Sequence, residues 1–66
     1  MTLVLKEDAF REIVSCIEKG EYDIAQKMLN IVSNSIQEEK ARGVYSNSVV
    51  LHNRKEERLF KNLIKS

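Results

Sequence analysis

The chain has 66 residues, a net charge of +1, two glycines, one cysteine, one histidine and no proline. A domain this short buries only about 60% of the surface its unfolded form exposes, and its core supplies about 3–5 kcal/mol, so such scaffolds lean on a disulfide, a metal, a partner or a second copy. Cys16 alone cannot form an intrachain disulfide, and Cys16 with His52 falls short of a zinc ligand set, so neither metal nor cofactor is expected and the support must come from another molecule.

A charged fraction of 32% without proline suits a helical soluble protein. The near-neutral sum hides a division: residues 1–39 hold four Lys/Arg and eight Asp/Glu (−4), and residues 40–66 hold seven Lys/Arg and two Asp/Glu (+5). Such an asymmetry points to charged partners rather than to a fold.

Leu3-Val4-Leu5 is too short for the apolar region of a signal peptide, and nothing approaches the ~20 apolar residues of a membrane span, so the cytoplasm is the expected compartment. The same run can pair with Val49-Val50-Leu51 as a two-stranded ribbon of residues 2–6 and 48–52.

Phe10, Ile13, Val14 and Ile17 fall within an arc of about 100°, which predicts a one-faced amphipathic helix over residues 8–19 with Glu7, Asp8 and Glu12 near its positive end. Gly20 can take the left-handed conformation that ends it. Asp23 with Gln26 fits a capping box, so a second helix starts there, antiparallel to the first, with small Ala25 letting the backbones approach.

In that second helix Ile24, Ala25, Met28, Leu29, Ile31, Val32 and Ile36 cover about 160° of the wheel, wider than one partner helix needs. The surplus requires a second contact, either with the C-terminal segment or with another molecule. Lys40 and Arg42 suit the negative end of the helix, and Gly43 terminates it. The polar run Val44-Tyr45-Ser46-Asn47-Ser48 is a linker.

Asn53-Arg54-Lys55-Glu56 is another cap-like Asn-x-x-Glu, predicting a third helix to about residue 65. On it Leu59, Phe60, Leu63 and Ile64 form one face, opposed by Arg58, Lys61 and Lys65 with Arg54 flanking. The expected architecture is a single all-α domain over 1–66: an antiparallel helical hairpin (8–42), a linker (43–52) and a C-terminal helix (53–65).

The basic face of the third helix is the strongest functional candidate, since a cationic amphipathic helix adds Coulomb attraction to buried apolar area on an acidic protein, a phosphate backbone or an anionic lipid. It sets a partner-binding group of Arg54, Arg58, Leu59, Phe60, Lys61, Leu63 and Lys65. The competing reading is a solvated face drawn to the acidic hairpin of the same chain. His52 and Glu56 are one turn apart, but a cap at Asn53 puts His52 outside the helix. Cys16 and His52 are a conceivable nucleophile and base, yet no orienting group or oxyanion loop accompanies them, and no enzyme is expected.

Two families share features with the hairpin. Gly20-Glu21-Tyr22-Asp23-Ile24-Ala25, followed by Leu29 and Val32, resembles the middle of a tetratricopeptide repeat, where Gly-x-Tyr-x-x-Ala joins two helices; the likeness implies hairpin geometry. The segment from Thr2 to Glu39 is also similar to a ribbon-helix-helix domain of the antitoxin type. That resemblance implies a DNA-binding dimer with Thr2, Val4 and Lys6 in the major groove, Gly20-x-Tyr22 as the turn, and the tail beyond Gly43 wrapping a toxin.

The first expectation is therefore a non-enzymatic interaction module, a regulator or inhibitor that binds a larger protein with an acidic surface and also self-associates. The alternative is a dimeric nucleic-acid-binding regulator of the ribbon-helix-helix kind.

Overall fold

A computed structural model describes residues 2–64. The elements run β1 (Thr2–Leu5), α1 (Lys6–Glu18), α2 (Tyr22–Arg42), β2 (Ser48–Leu51) and α3 (Arg54–Leu59). The molecule is mostly helical, and all-α is only an approximation because β1 and β2 form a short antiparallel sheet. Thr2 pairs with Leu51, Leu3 with Val50, Val4 with Val49 and Leu5 with Ser48. The ribbon is one residue shorter in each strand than the sequence suggested. Strand alternation sends Val4, Val49 and Leu51 into the core and leaves Leu3 and Leu5 outside. That packed inner face supports a ribbon that would not stand alone.

The chain passes from β1 into α1 without a loop, so the helix begins at Lys6 rather than residue 8, and Leu5 at the boundary provides no side-chain cap. Gly20 ends α1 as expected, at φ +80°. The N–H of Gly20 donates to Ile17 O (3.0 Å) and that of Glu21 to Cys16 O (2.8 Å), a Schellman arrangement that satisfies carbonyls the helix would leave orphaned.

The capping box at Asp23 does not form. Glu21 O already accepts from Ala25 N (3.1 Å), so α2 starts at Tyr22 and Asp23 sits inside its first turn. Gln26 Nε2 instead donates to Asn30 Oδ1 at 3.1 Å. At the other end Gly43 takes φ +71°, with Gly43 N donating to Lys40 O and Val44 N to Glu39 O.

The second cap does form. Asn53 Oδ1 accepts from Glu56 N, and Glu56 Oε1 accepts from His52 N, both at 2.9 Å, which leaves His52 outside the helix. However, α3 stops at Leu59 instead of reaching residue 65. Beyond it the chain tightens into turns, with Lys61 N donating to Arg58 O and Leu63 N to Phe60 O. A helix of six residues is too short to persist on its own hydrogen bonds, so the core that holds Phe60 decides the path.

That core comprises Val4, Ala9, Ile13, Cys16, Ala25, Met28, Val32, Val49, Leu51 and Phe60, with Ile24, Ile31, Leu59, Leu63 and Ile64 packed on its margin. Cys16 Sγ lies 4.0 Å from Met28 Sδ, and Lys6 Nζ lies 2.6 Å from Glu39 Oε1. The two links fix the antiparallel register of the hairpin along its length. On α1 the buried line is Ala9, Ile13 and Cys16, so of the expected arc only Ile13 lies in the core, and Phe10, Val14 and Ile17 are exposed.

Candidate interaction surfaces

Arg54, Arg58 and Lys61 converge, with Glu57 and Ile64, around an open depression of about 340 Å³. All three cations are exposed. Hairpin attraction for these cations, the competing reading, has no ion pair behind it among the described residues. Glu7 and Asp8 pair with Arg11, Glu39 with Lys6, and Glu38 lies 3.9 Å from His52, while among the described residues no carboxylate lies within pairing distance of Arg54, Arg58 or Lys61. Where the C-terminal turns meet α1, the bond is neutral to charged, from Asn62 Nδ2 to Glu12 Oε1 at 3.1 Å. Glu57, on the rim of the depression, accepts from Thr2 Oγ1 at 3.0 Å.

The apolar half of the expected site needs correction. Phe60 is fully buried and is a core residue, unavailable to a partner. Leu59 and Leu63 are half-buried against the same core. These residues do not share a helical face, since α3 ends at Leu59, but the core of this chain uses all of them. Lys65 lies outside the described residues.

The three positions that the ribbon-helix-helix resemblance assigned to base reading are engaged within the chain. Val4 is buried, Thr2 bonds Glu57, and Lys6 Nζ donates to Ser46 O (2.6 Å) beside Glu39. β1 also has its strand partner in the same chain.

Cys16 and His52 are not brought together: the thiol is buried against Met28, whereas His52 lies near Glu38 on an exposed edge. Burial first, then the charges of Glu21 and Glu12, push the Cys16 thiol above its ordinary value, with Lys19 opposing. Hydrogen bonds from Lys6 and Ser46 hold the Glu39 carboxyl below its ordinary range. Among the described residues no group of three or more His, Cys, Asp or Glu is placed to hold a metal ion, and no helix is long and apolar enough to cross a membrane.

Of a second surface the sequence indicated only the α2 half, through Leu29 and Ile36 in a stripe too wide for one partner helix. Phe10, Val14 and Ile17 of α1 and Tyr22, Leu29 and Ile36 of α2 are between 36% and 66% exposed. The signal was present in the excess width of the α2 stripe and in the seven-residue spacing of 22, 29 and 36. Both helices turn these residues to the same side of the hairpin, and a groove lined by Ile13, Ile17, Tyr22, Ala25, Gln26 and Leu29 runs between them. The opposite side is the one that Phe60 and the ribbon cover.

No protein family matches this chain, and neither a curated protein nor a solved structure is similar to it.

Proposed function

We propose that this chain is a small, non-enzymatic protein–protein interaction module, a regulator or inhibitor that docks on an acidic surface of a larger protein through Arg54, Arg58 and Lys61. The observation that carries the reading is that these three cations share one depression and have no ion-pair partner among the described residues. Guanidinium groups pair with carboxylates in a bidentate fork, and the aliphatic stems of such side chains, beside half-buried Ile64, add apolar contact. Charge of this kind sets orientation and encounter rate more than affinity. A single cysteine kept as a free thiol suits a reducing compartment, and we assign the protein to the cytoplasm.

Affinity capture of the tagged protein from its host's lysate, after nuclease treatment, tests this with wild type beside the double variant Arg58→Glu, Lys61→Glu. A near-stoichiometric protein recovered by wild type and lost by the variant is the expected result. Equal recovery by both removes the patch from the interface. Recovery of nucleic acid alone, abolished by nuclease, transfers the same cations to phosphate binding and to the nucleic-acid reading; binding would then weaken with salt in proportion to the phosphates engaged.

A further inference from the structure

We infer that the open face of the helical hairpin is a self-association surface, on which two copies of this chain pack as an antiparallel four-helix arrangement. It shares no residue with the basic depression, so the two proposals stand or fall separately.

At about 200 Å² per large apolar residue, the fractional exposures of Phe10, Val14, Ile17, Tyr22, Leu29 and Ile36 leave roughly 600 Å² open on one side, at the top of the range for the largest patch on a monomer, where such patches are often functional. The chain's own C-terminal half is already committed to the other side through Phe60, Val49 and Leu51. With its uncharged α2 margin of Gln26, Ser33 and Gln37, the face approaches the ~800 Å² per partner of a stable interface. Charge depletion at the centre of the patch is also what such interfaces show.

The occupant that fits is a second copy. The Cys16–Met28 and Lys6–Glu39 links set Phe10 near the height of Ile36, and Ile17 near that of Leu29. A two-fold axis parallel to the helices lays α1 on α2 of the second copy, antiparallel, at unchanged height. Phe10 then meets Ile36 of the second copy, and Ile17 meets its Leu29, so these two apolar levels are self-complementary. At the rim the same operation brings Glu7 of one copy towards Lys40 of the other. Helix-on-helix packing of this kind is the ordinary geometry of antiparallel bundles.

Sedimentation equilibrium of the purified full chain over a concentration series tests the state, with Leu29→Glu as the comparison and circular dichroism as the control for folding. Wild type is expected at twice its 7.7 kDa mass, and Leu29→Glu, which must bury an unpaired charge, raises the dissociation constant about 100-fold or more. A wild type that stays monomeric at millimolar concentration overturns the proposal, as does a folded variant that dimerises normally. If the variant unfolds, a mixed isotope-labelled sample of wild type decides. Intermolecular contacts between Phe10 and Ile36 and between Ile17 and Leu29 are expected; their absence, or their replacement by contacts from β1, places the interface elsewhere and refutes this one.

Discussion

Lys6 Nζ stands 2.6 Å from Glu39 Oε1, and Glu39 Oε2 accepts from the backbone N–H and the hydroxyl of Ser46 at 2.6 and 2.7 Å. One carboxylate thereby ties the start of α1 to the last turns of α2 and to the loop that returns the chain to β2. Lys6 closes the circle by donating its backbone N–H to Asn47 O at 2.7 Å. This node, more than any turn propensity in residues 44–47, brings the two strands into register.

Its pH dependence has a definite sign. The folded state holds the Glu39 carboxyl below its ordinary value of 4.5, chiefly through the hydrogen bond from Lys6. Its contribution is therefore complete above that value and is lost as pH falls through the folded pKa. Glu39→Gln should lower the urea midpoint at pH 7, and the gap from wild type should close as the pH is taken below about 4.5. A gap that persists unchanged at pH 2 would show that the carboxylate's charge is not what matters.

Phe60 separates the core role from the partner role. Removing a fully buried ring costs about 3–5 kcal/mol, which is as much as a core of this size supplies. Phe60→Ala should therefore be largely unfolded by circular dichroism at 25 °C in the absence of any partner. Arg58→Ala, on the exposed side of the same segment, should shift stability by no more than about 0.5 kcal/mol. A well-folded Phe60→Ala would restore this ring to the list of partner contacts.

The sequence was most readable where structure is decided locally. Gly20, Gly43 and the Asn53-x-x-Glu56 cap act within a few residues of themselves, and each does what its chemistry implies. Asp23 looked like a cap on the same grounds, but the Schellman turn at Gly20 delivers the chain to helical geometry two residues sooner, with Glu21 at the cap position. Periodicity found apolar faces on α1 and α2 without saying what lies on them, and the face drawn through Phe60, Leu63 and Ile64 falls past the end of α3 at Leu59. Phe60 went to the core and Phe10 towards solvent, a difference set by which side of the hairpin the C-terminal half returns to. The Lys6–Glu39–Ser46 node joins positions far apart in the chain, and no local pattern announces it. Of the two candidate surfaces, the cations Arg54, Arg58 and Lys61 were legible as a charged face, whereas the open hairpin side could be recognised only once the covered side was known.

Gly20 offers a test of backbone strain without steric interference. A Cβ built there meets nothing within 4 Å, so any cost of substitution comes from φ +80° alone. Gly20→Ala should destabilise by about 1–2 kcal/mol, the penalty of left-handed geometry for an L-residue. Gly20→Asn should cost less, because its side chain tolerates that region better. Equal stability of all three proteins in thermal melts would mean that the α1–α2 turn does not hold a left-handed residue.

Cys16 reports on the integrity of the hairpin. Its thiol lies between α1 and α2 against Met28, and burial raises its pKa, so both access and thiolate formation are suppressed in the folded state. An aromatic disulfide reagent at pH 8 should therefore label Cys16 at the free-thiol rate scaled down by the fraction of molecules with the hairpin open, and urea should accelerate labelling along the unfolding transition. Because that rate follows the population of the open form, it also measures whatever closes the hairpin. Charge reversal at Arg58 and Lys61, distant from the hairpin core, should leave it unchanged. If α1 and α2 are further clamped by a second copy on their open face, raising the protein concentration should slow labelling. Complete modification within the mixing time in plain buffer would contradict the packing of Cys16 against Met28, and with it the register on which the opposed levels of α1 and α2 depend.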